Sequence, residues 1–570
     1  MSRKMAKLFF GFNVLKSIFK FSVDEIRRGT FLKNISYLPK FDFPEDMSWS
    51  ELLEEKAKFY KEKIFLTFTD KTYSYAEMNR QANRFANFLR KKQGKPGKGC
   101  ALFLDNSPHF LNVFFGLQKL GMYSVPVNTS LKGESLLYIL NHCDAEFLVI
   151  EVAHLEKIDK IKDKLEKIKT IIVNTEFQDS ENIDENVSKD YPSLKEMALE
   201  SDQNLNINYN KDDICLITYT SGTTGLPKGV VYRYRKTSVK ALSLAAYLIF
   251  KKSDVLYTCM KLFHGNALFV TTTSALHLGA KVVLGKKFSA SRFWDEMRRY
   301  QVTTFNTIGA MIPILMKQPK KETDNQNKVR MIISAACPPD LWEDFEKRYG
   351  LIIYETYGAV DGGGKTILNI GTGPIGSIGR PPLKLKYRLV DDKMNDVPDG
   401  EPGELIFASS KKKGGGVEYY KNQEASEKKE KSGWIFTGDL MRRDSKGYLF
   451  FVGRNTESMR IKGENVSAFE VEQILQKHPA VLEIAVYAVP SELAEDDIMA
   501  SVSLVEGQTL KEQDLIDFGH ENLPKFAVPR YIKIVDNFPK TETHRIKKNE
   551  MEKLGIISGT YDSQKKGHLE

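Results

Sequence analysis

From Thr67 onward the chain alternates short apolar runs with longer stretches whose apolar positions recur every three or four residues. Cys100 to Leu104, Tyr123 to Val127 and Glu146 to Ile150 read as strands, and Tyr75 to Leu89 and Phe110 to Leu120 as helices. Near-continuous apolar strands separated by helical patterns are what a parallel sheet requires, because crossover helices bury both of its faces. The rhythm continues through Asp254 to Thr258, Lys281 to Leu284, Met331 to Ser334 and Leu351 to Tyr354, so layered α/β sheets are predicted for most of the chain. Lys157 to Lys169 alternates charge signs and reads as a solvated helix face, whereas 176 to 212 is polar and reads as an extended surface connection. Lys411 to Gly416 and Lys421 to Gly433 read as exposed loops rather than ligand sites.

After Tyr448 to Arg454 the character changes. Ser467-Ala468-Phe469-Glu470 has the form of a capping box and predicts a helix to Lys477. Strands near Val481 to Val489, Ile498 to Leu504 and Tyr531 to Val535 follow, with a helix near Leu510 to Leu523, which together make a small α+β unit. The predicted organisation is a basic amphipathic segment at 1–45, a large α/β domain at 46–453 and a small mobile α+β lid at 454–570, with a hinge at Gly453 to Glu457.

A chain of 570 residues exceeds what one core holds, and 41% hydrophobic with 28% charged residues reads as globular. The cysteines (Cys100, Cys143, Cys215, Cys259, Cys337) are scattered without a C-x-x-C pair, which argues against a disulfide framework or zinc site and for a reducing, cytoplasmic setting. The histidines show no metal-ligand spacing, so any metal is expected to arrive with nucleotide. The net charge of +10 invites a nucleic-acid reading, but residues 1–40 hold nine Lys/Arg against Asp24 and Glu25 and alone contribute +7. The remainder is close to neutral, without a basic stripe interleaved with aromatics, so no nucleic-acid partner is expected. In the basic head, Leu8, Phe12, Leu15 and Phe19 fall at helical spacing, interrupted by Lys4, Lys7, Lys16 and Lys20, which excludes a spanning helix. Two readings stay open for residues 1–30: an interfacial helix giving peripheral contact with anionic lipid, or aromatics packed on the main domain.

The chemistry concentrates in Tyr219-Thr220-Ser221-Gly222-Thr223-Thr224-Gly225-Leu226-Pro227-Lys228-Gly229, which follows the apolar run Ile214 to Ile217. Gly222 and Gly225 can take positive φ and let backbone N–H groups converge on an anion, while the hydroxyls of Thr220, Ser221, Thr223 and Thr224 add donors and Lys228 a point charge. The spacing is not that of the P-loop NTPases.

This stretch closely resembles the signature loop of adenylate-forming enzymes, the superfamily of acyl-CoA synthetases, luciferases and peptide-synthetase adenylation domains. The likeness runs from about residue 50 to 555. Gly116 to Gly121, Val127-Asn128-Thr129, Lys287 to Trp294 and Met459 to Ser467 look like the fatty-acid transport protein and very-long-chain acyl-CoA synthetase family, and Val471 to Ala500 is also similar to carnitine-CoA ligase relatives. The resemblance implies an AMP-forming acid–thiol ligase using ATP, Mg²⁺ and CoA: a carboxylate attacks the α-phosphate, and the CoA thiol then displaces AMP. A long-chain or very-long-chain fatty acid is the expected substrate. The alternatives are a carnitine-like, aromatic or bile-acid-type carboxylate, or a catalytically degraded relative that binds nucleotide or acyl groups.

Residue by residue, the resemblance assigns phosphate contacts to Thr220 through Gly225 and Lys228, with Lys228 and Thr224 at the reacting phosphate. It assigns ribose to Asp439 and Arg454, and the adenine pocket to Ser334, Ala335, Ala336, Tyr357 and Gly358. Metal falls to Asp361, and Gly463 belongs to a post-hinge loop used in thioester formation. Read without the resemblance, Asp439 could be a turn residue, Arg454 a surface ion pair, Tyr357 a core aromatic and Gly463 a plain turn. Phe263-His264-Gly265 resembles the loop that closes between ATP and the acyl site, although a lone histidine is equally a structural residue. Two departures fall in Tyr357-Gly358-Ala359-Val360-Asp361, where Val360 replaces a threonine hydroxyl and Asp361 is one methylene shorter than glutamate. In the third, Arg545 of Pro539 to Ile546 aligns with a lysine that neutralises charge during adenylation; Lys540, Lys547 and Lys548 are the other cations at hand.

Overall fold

The structure is a computed structural model describing residues 47–176, 190–220, 227–234, 249–308, 311–371, 373–382, 385–409, 416–454, 458–461, 464–490, 496–523, 525–541 and 545–569. The basic head, the Ser221 to Gly225 loop, the proposed hinge at 455–457 and Gly463 lie outside the described residues.

The predicted layered architecture is present. One sheet runs, edge to edge, Thr366–Asn369, Ile352–Gly358, Met331–Ala335, Thr304–Ile308, Val255–Thr258, Lys281–Leu284, Ile64–Phe68, Lys71–Ser74. Its middle strands are mutually parallel, and both edge pairs are antiparallel. A second sheet runs Thr170–Asn174, Ala145–Glu151, Gly99–Phe103, Tyr123–Pro126, Ile214–Thr220, Lys228–Arg233, parallel except for the last pair.

Between these sheets lie the helices Trp49–Tyr60, Tyr75–Lys91 and Pro108–Lys119, which contribute to one core cluster. The last is apolar nearly all round and every residue in it is buried, as expected for a helix covered on all sides. Its one charge, Lys119, meets Glu54 at 2.5 Å. Gly116 lets this helix close on Tyr75–Lys91, since a Cβ there would stand 2.7 Å from both the Ala82 carbonyl oxygen and the Phe85 ring. Ser48 and Ser74 cap the other two helices through the Glu51 and Glu77 amides.

A third, antiparallel sheet (Ser377–Gly379, Leu449–Arg454, Trp434–Arg443, Pro402–Ala408, Tyr387–Val390) is not separable in the hydrophobic pattern. The C-terminal unit pairs Val481–Pro490, Asp496–Leu504, Tyr531–Ile534, Tyr561–Asp562 and Gly567–His568 in one sheet, with the helices Ala468–Leu475 and Glu512–Asn522. It rests on the larger part through Lys317, whose ammonium donates to the Val481 and Leu482 carbonyls at 3.0 Å each, and through Lys477 and Asp340 at 3.0 Å.

Three local expectations need correction. Lys157 to Lys169 is not one helix. Leu155–Asp159 and a 3₁₀ turn at Lys162–Lys164 replace it, because alternating charges supply no continuous apolar stripe to pack. The surface connection contains an ordered turn, Leu194–Leu199, capped by Ser193. The helix expected after Ser467 is present at Ala468–Leu475, and the Ser467 hydroxyl donates to the Val452 carbonyl at 2.6 Å, tying its start back to the strand Leu449–Arg454. Lys421 to Gly433 is no bare loop: Asn422 caps a helix at Gln423–Lys429 whose last residue reaches into the site described next.

Candidate active site

The parallel strands Thr304–Ile308, Met331–Ala335 and Ile352–Gly358 all end on one side of the first sheet, the side where ligands enter open α/β sheets. The expected adenine residues follow from this. Ser334 and Ala335 end one strand, Tyr357 and Gly358 the next, and Ala336 turns the chain with φ 68°. That left-handed conformation is strained for a residue with a Cβ. Buried Glu355 holds it, accepting the Ala336 N–H at 2.5 Å and the Cys337 N–H at 3.2 Å. Burial pushes the Glu355 carboxyl up to about 7.

The third sheet supplies the expected ribose pair. Strand register sets Asp439 opposite Arg454, and the guanidinium Nε stands 3.3 Å from Asp439 Oδ1. Tyr357 donates its hydroxyl to Asp439 Oδ2 at 2.5 Å, so residues read separately as adenine and ribose contacts share one carboxylate. Asp439 keeps only 5% side-chain exposure. Burial holds its carboxyl above the usual range, with Arg454, Tyr357 and Lys429 opposing. The turn is braced by Thr437, which donates to the Leu405 carbonyl at 2.6 Å, and by Glu404, which accepts the Gly438 N–H at 2.9 Å.

Asp361, the expected metal residue, is already engaged. Its Oδ2 accepts the Tyr419 hydroxyl at 2.6 Å and pairs with the Lys429 ammonium at 3.0 Å. Burial favours its neutral form, but Lys429 and Tyr419 outweigh that and hold the carboxyl below its ordinary value. Both side-chain contacts fall on Oδ2. Among the described residues no group of three or more His, Cys, Asp or Glu could hold a metal. One carboxylate suits Mg²⁺, which keeps waters and takes its remaining ligands from phosphate.

Lys228 and Thr220 are paired at the open end of their two strands, and the Lys228 side chain is exposed. Its ammonium stands 5.5 Å from the centre of the Tyr419 ring. Tyr419 bridges to Val230, and Tyr420 continues the contact by donating its N–H to the Gly229 carbonyl at 2.7 Å. The Tyr420 hydroxyl donates to Asp144 at 2.8 Å, so adjacent tyrosines tie the strand Lys228–Arg233 to Asp361 and to the turn ahead of Ala145–Glu151.

Arg545 comes from the C-terminal unit. Thr541 and Arg545 close a tight turn, the Arg545 N–H donating to the Thr541 hydroxyl at 3.1 Å and the Thr541 N–H to the Arg545 carbonyl at 2.7 Å. Burial, reinforced by the Arg545 guanidinium, lowers the His264 imidazole to about 4, so the ring is neutral at physiological pH. His264 Nε2 is buried and finds no hydrogen-bond partner. The other cations point elsewhere: Lys540 pairs with Glu483 at 2.5 Å, Lys547 with Glu550 at 2.9 Å and Lys548 with Glu472 at 2.7 Å.

Behind Gly265 the chain forms wide π-helical turns over Asn266–Thr273, a geometry frequent at functional sites. Phe269 on these turns stacks on Trp49 at 5.3 Å and meets Tyr232 at 5.7 Å, while the Tyr232 hydroxyl donates to the Val360 carbonyl at 3.1 Å. Asn306 donates to Asn266 at 2.8 Å and to the Thr271 hydroxyl at 2.7 Å. Lys429, Tyr419, Tyr232 and Phe269 carry no motif that names them, and Glu355 falls within the stretch Tyr354 to Gly358 that resembles the adenine pocket but has no role of its own in that resemblance. The one available signal was Tyr419-Tyr420 directly ahead of an Asn-capped helix.

Residues 53–412 match the AMP-binding enzyme family, and 470–545 match the AMP-binding enzyme C-terminal domain. The crotonobetaine/carnitine–CoA ligase of Proteus mirabilis (strain HI4320) is 31% identical over 519 residues, covering 88% of this chain and 98% of that protein. Its counterpart from Salmonella typhimurium (strain LT2) is 31% identical over 518 residues, with the same coverage. Among solved structures, the anthranilate CoA ligase AuaEII in complex with anthranoyl-AMP superposes with a TM-score of 0.79 at 25% identity, over 90% of this chain and 98% of that one. A benzoate CoA ligase from Burkholderia xenovorans LB400, at 23% identity, TM-score 0.75 and covering 89% of this chain and 100% of that one, shares the fold.

Proposed function

The chain belongs to the AMP-binding enzyme family and has the two-part architecture of adenylate-forming enzymes, and from that premise we propose that it couples a compact carboxylic acid to coenzyme A with cleavage of ATP to AMP and pyrophosphate. The observation that carries this reading is the Asp439–Arg454–Tyr357 cluster, in which one buried carboxylate meets both a guanidinium and a tyrosine hydroxyl where the third sheet adjoins the ends of the parallel strands.

In the first step a substrate carboxylate oxygen forms a bond to the α-phosphorus of ATP while the bond to the pyrophosphate oxygen breaks. In the second the CoA sulfur bonds to the acyl carbon, AMP leaves with the carboxylate-derived oxygen, and the thiol proton passes to solvent. Asp439 and Arg454 would orient the ribose, Tyr357 would lie along the base, and Lys228 would take the phosphates. Asp361 would hold Mg²⁺, which when bound supplies positive charge for the phosphates. Arg545 would stabilise charge developing on the α-phosphate, and neutral His264 Nε2–H would be a donor for the incoming carboxylate.

The acid's size is inferred from the π-helical turns that follow His264 and Gly265 in the chain. Stacked Phe269 and Trp49, with Tyr232 alongside, support a short, aromatic-walled acyl site rather than a long tunnel. The Asn266–Asn306–Thr271 network supports an acid carrying a polar or compact head, and the carnitine-type and aromatic substrates named for the relatives are of that size. We favour this reading over the long-chain fatty acid expected from the sequence. The test is AMP release by purified protein with ATP, Mg²⁺, CoA and a panel running from aromatic and betaine-type acids to fatty acids of increasing length. Acid-dependent AMP with a compact optimum is expected. A long-chain optimum would refute the size argument, and nucleotide binding without AMP from any acid would refute the activity.

A further inference from the structure

Lys429 has no role in the scheme above, yet it occupies the centre of the polar cluster. Its ammonium stands 3.0 Å from Asp361 Oδ2 and donates to the Thr437 carbonyl at 3.3 Å, which links the metal carboxylate to the turn that carries Asp439. The side chain is 14% exposed and that of Asp361 20%, so neither charge is screened as a surface pair would be. Lys429 also acts electrostatically on Asp439 and Glu404, both held above their ordinary values chiefly by burial. These three carboxylates lie within electrostatic reach of one ammonium, so their negative charge is offset at one point.

We propose that Lys429 is a positioning residue for nucleotide binding: it is the resident counter-ion of Asp361, offsetting that carboxylate's charge across their 3.0 Å contact so that the phosphate site admits ATP before a divalent cation arrives. The proposal rests on the ATP-site reading above and adds to it the group that offsets carboxylate–phosphate repulsion. The helix Gln423–Lys429 serves this end. Asn422 fixes its start, and its last turn delivers the ammonium to Asp361 rather than to solvent.

The test is calorimetric titration of ATP into the full chain, once with excess EDTA and once with Mg²⁺. Wild type should bind in both, and Lys429→Met should weaken binding in EDTA by roughly tenfold or more, as expected on exposing an uncompensated part-buried charge to an anion, while changing Mg²⁺·ATP binding by less than about threefold. Lys429→Arg should restore binding in EDTA. The double variant Asp361→Asn with Lys429→Met, which removes both charges together and so also serves if the single variant does not fold, should bind in EDTA nearly as wild type. Equal binding of wild type and Lys429→Met in EDTA would overturn the proposal. So would a double variant as weak as Lys429→Met, which would mean that Lys429 meets phosphate directly. Failure of wild type to bind Mg²⁺·ATP would instead overturn the ATP-site reading.

Discussion

Replacing Asp439 with alanine should erase the discrimination between ATP and 2′-deoxyATP. A hydrogen bond to a charged acceptor contributes about 1.5–3 kcal/mol, and at about 1.4 kcal/mol per tenfold the wild type should prefer ATP by roughly 10- to 140-fold in kcat/KM. The lower half of that range is expected, because Asp439 already receives Tyr357 at 2.5 Å and Arg454 at 3.3 Å, and a ribose hydroxyl must share its oxygens with them. The alanine variant should fold. Arg454 is 40% exposed and can rehydrate, and the lost Tyr357 bond, costing about 1–3 kcal/mol, is partly offset by removing a carboxylate that burial holds above its usual range. The assay is pyrophosphate release with each nucleotide, with melting curves to confirm folding. A ratio falling to within about threefold of unity is expected. A folded variant that keeps the wild-type ratio would show that Asp439 does not meet the ribose.

Three further outcomes follow from the same geometry. Arg545→Ala should slow acyl-adenylate formation by about 10²–10³, the usual cost of a preorganised electrostatic donor, while leaving transfer to CoA from supplied acyl-AMP within about tenfold; Arg545→Lys should fall between, and equal losses in both half-reactions would refute a role confined to adenylation. Glu355 is pushed up to about 7 from an ordinary 4.5, so the native state keeps this proton longer than the unfolded chain. Its contribution is therefore full below about pH 4.5 and lost as pH rises through 7, at most about 3 kcal/mol; the stability difference between wild type and Glu355→Gln should decline over that window, and a flat difference would refute it. Phe269→Ala should lengthen the preferred acid by opening the stack between Trp49 and Tyr232, at a stability cost of about 2–4 kcal/mol for a large side chain removed from packed surroundings; an unchanged acid profile would mean that the ring does not bound the acyl site.

The parts of the molecule that could be read in advance share a physical cause. Strands buried on both faces must be apolar throughout, so Cys100 to Leu104 and Glu146 to Ile150 announce themselves, and the observed strands Gly99–Phe103 and Ala145–Glu151 fall within a residue of them. Motifs named Asp439, Arg454 and Tyr357 one at a time. That they converge on one carboxylate depends on the pairing of Trp434–Arg443 with Leu449–Arg454, which no local pattern encodes. Lys429 was invisible for a stronger reason: a lysine in a Lys- and Glu-rich stretch has the composition of a solvated face, and only the register that sets Tyr419 beside Val230 and Trp434–Arg443 beside Pro402–Ala408 carries its ammonium to Asp361. The charge balance of the site is therefore a property of the third sheet's pairing rather than of any motif. The Val360 and Arg545 departures need weighing on the same scale. The Val360 carbonyl accepts the Tyr232 hydroxyl, a backbone bond that does not depend on the side chain, and the Arg545 guanidinium lies near enough to His264 to oppose its protonation. The Val360 departure therefore leaves the backbone contact intact, and the Arg545 departure keeps a positive charge near the buried imidazole, the part of the lysine's role that charge alone can supply.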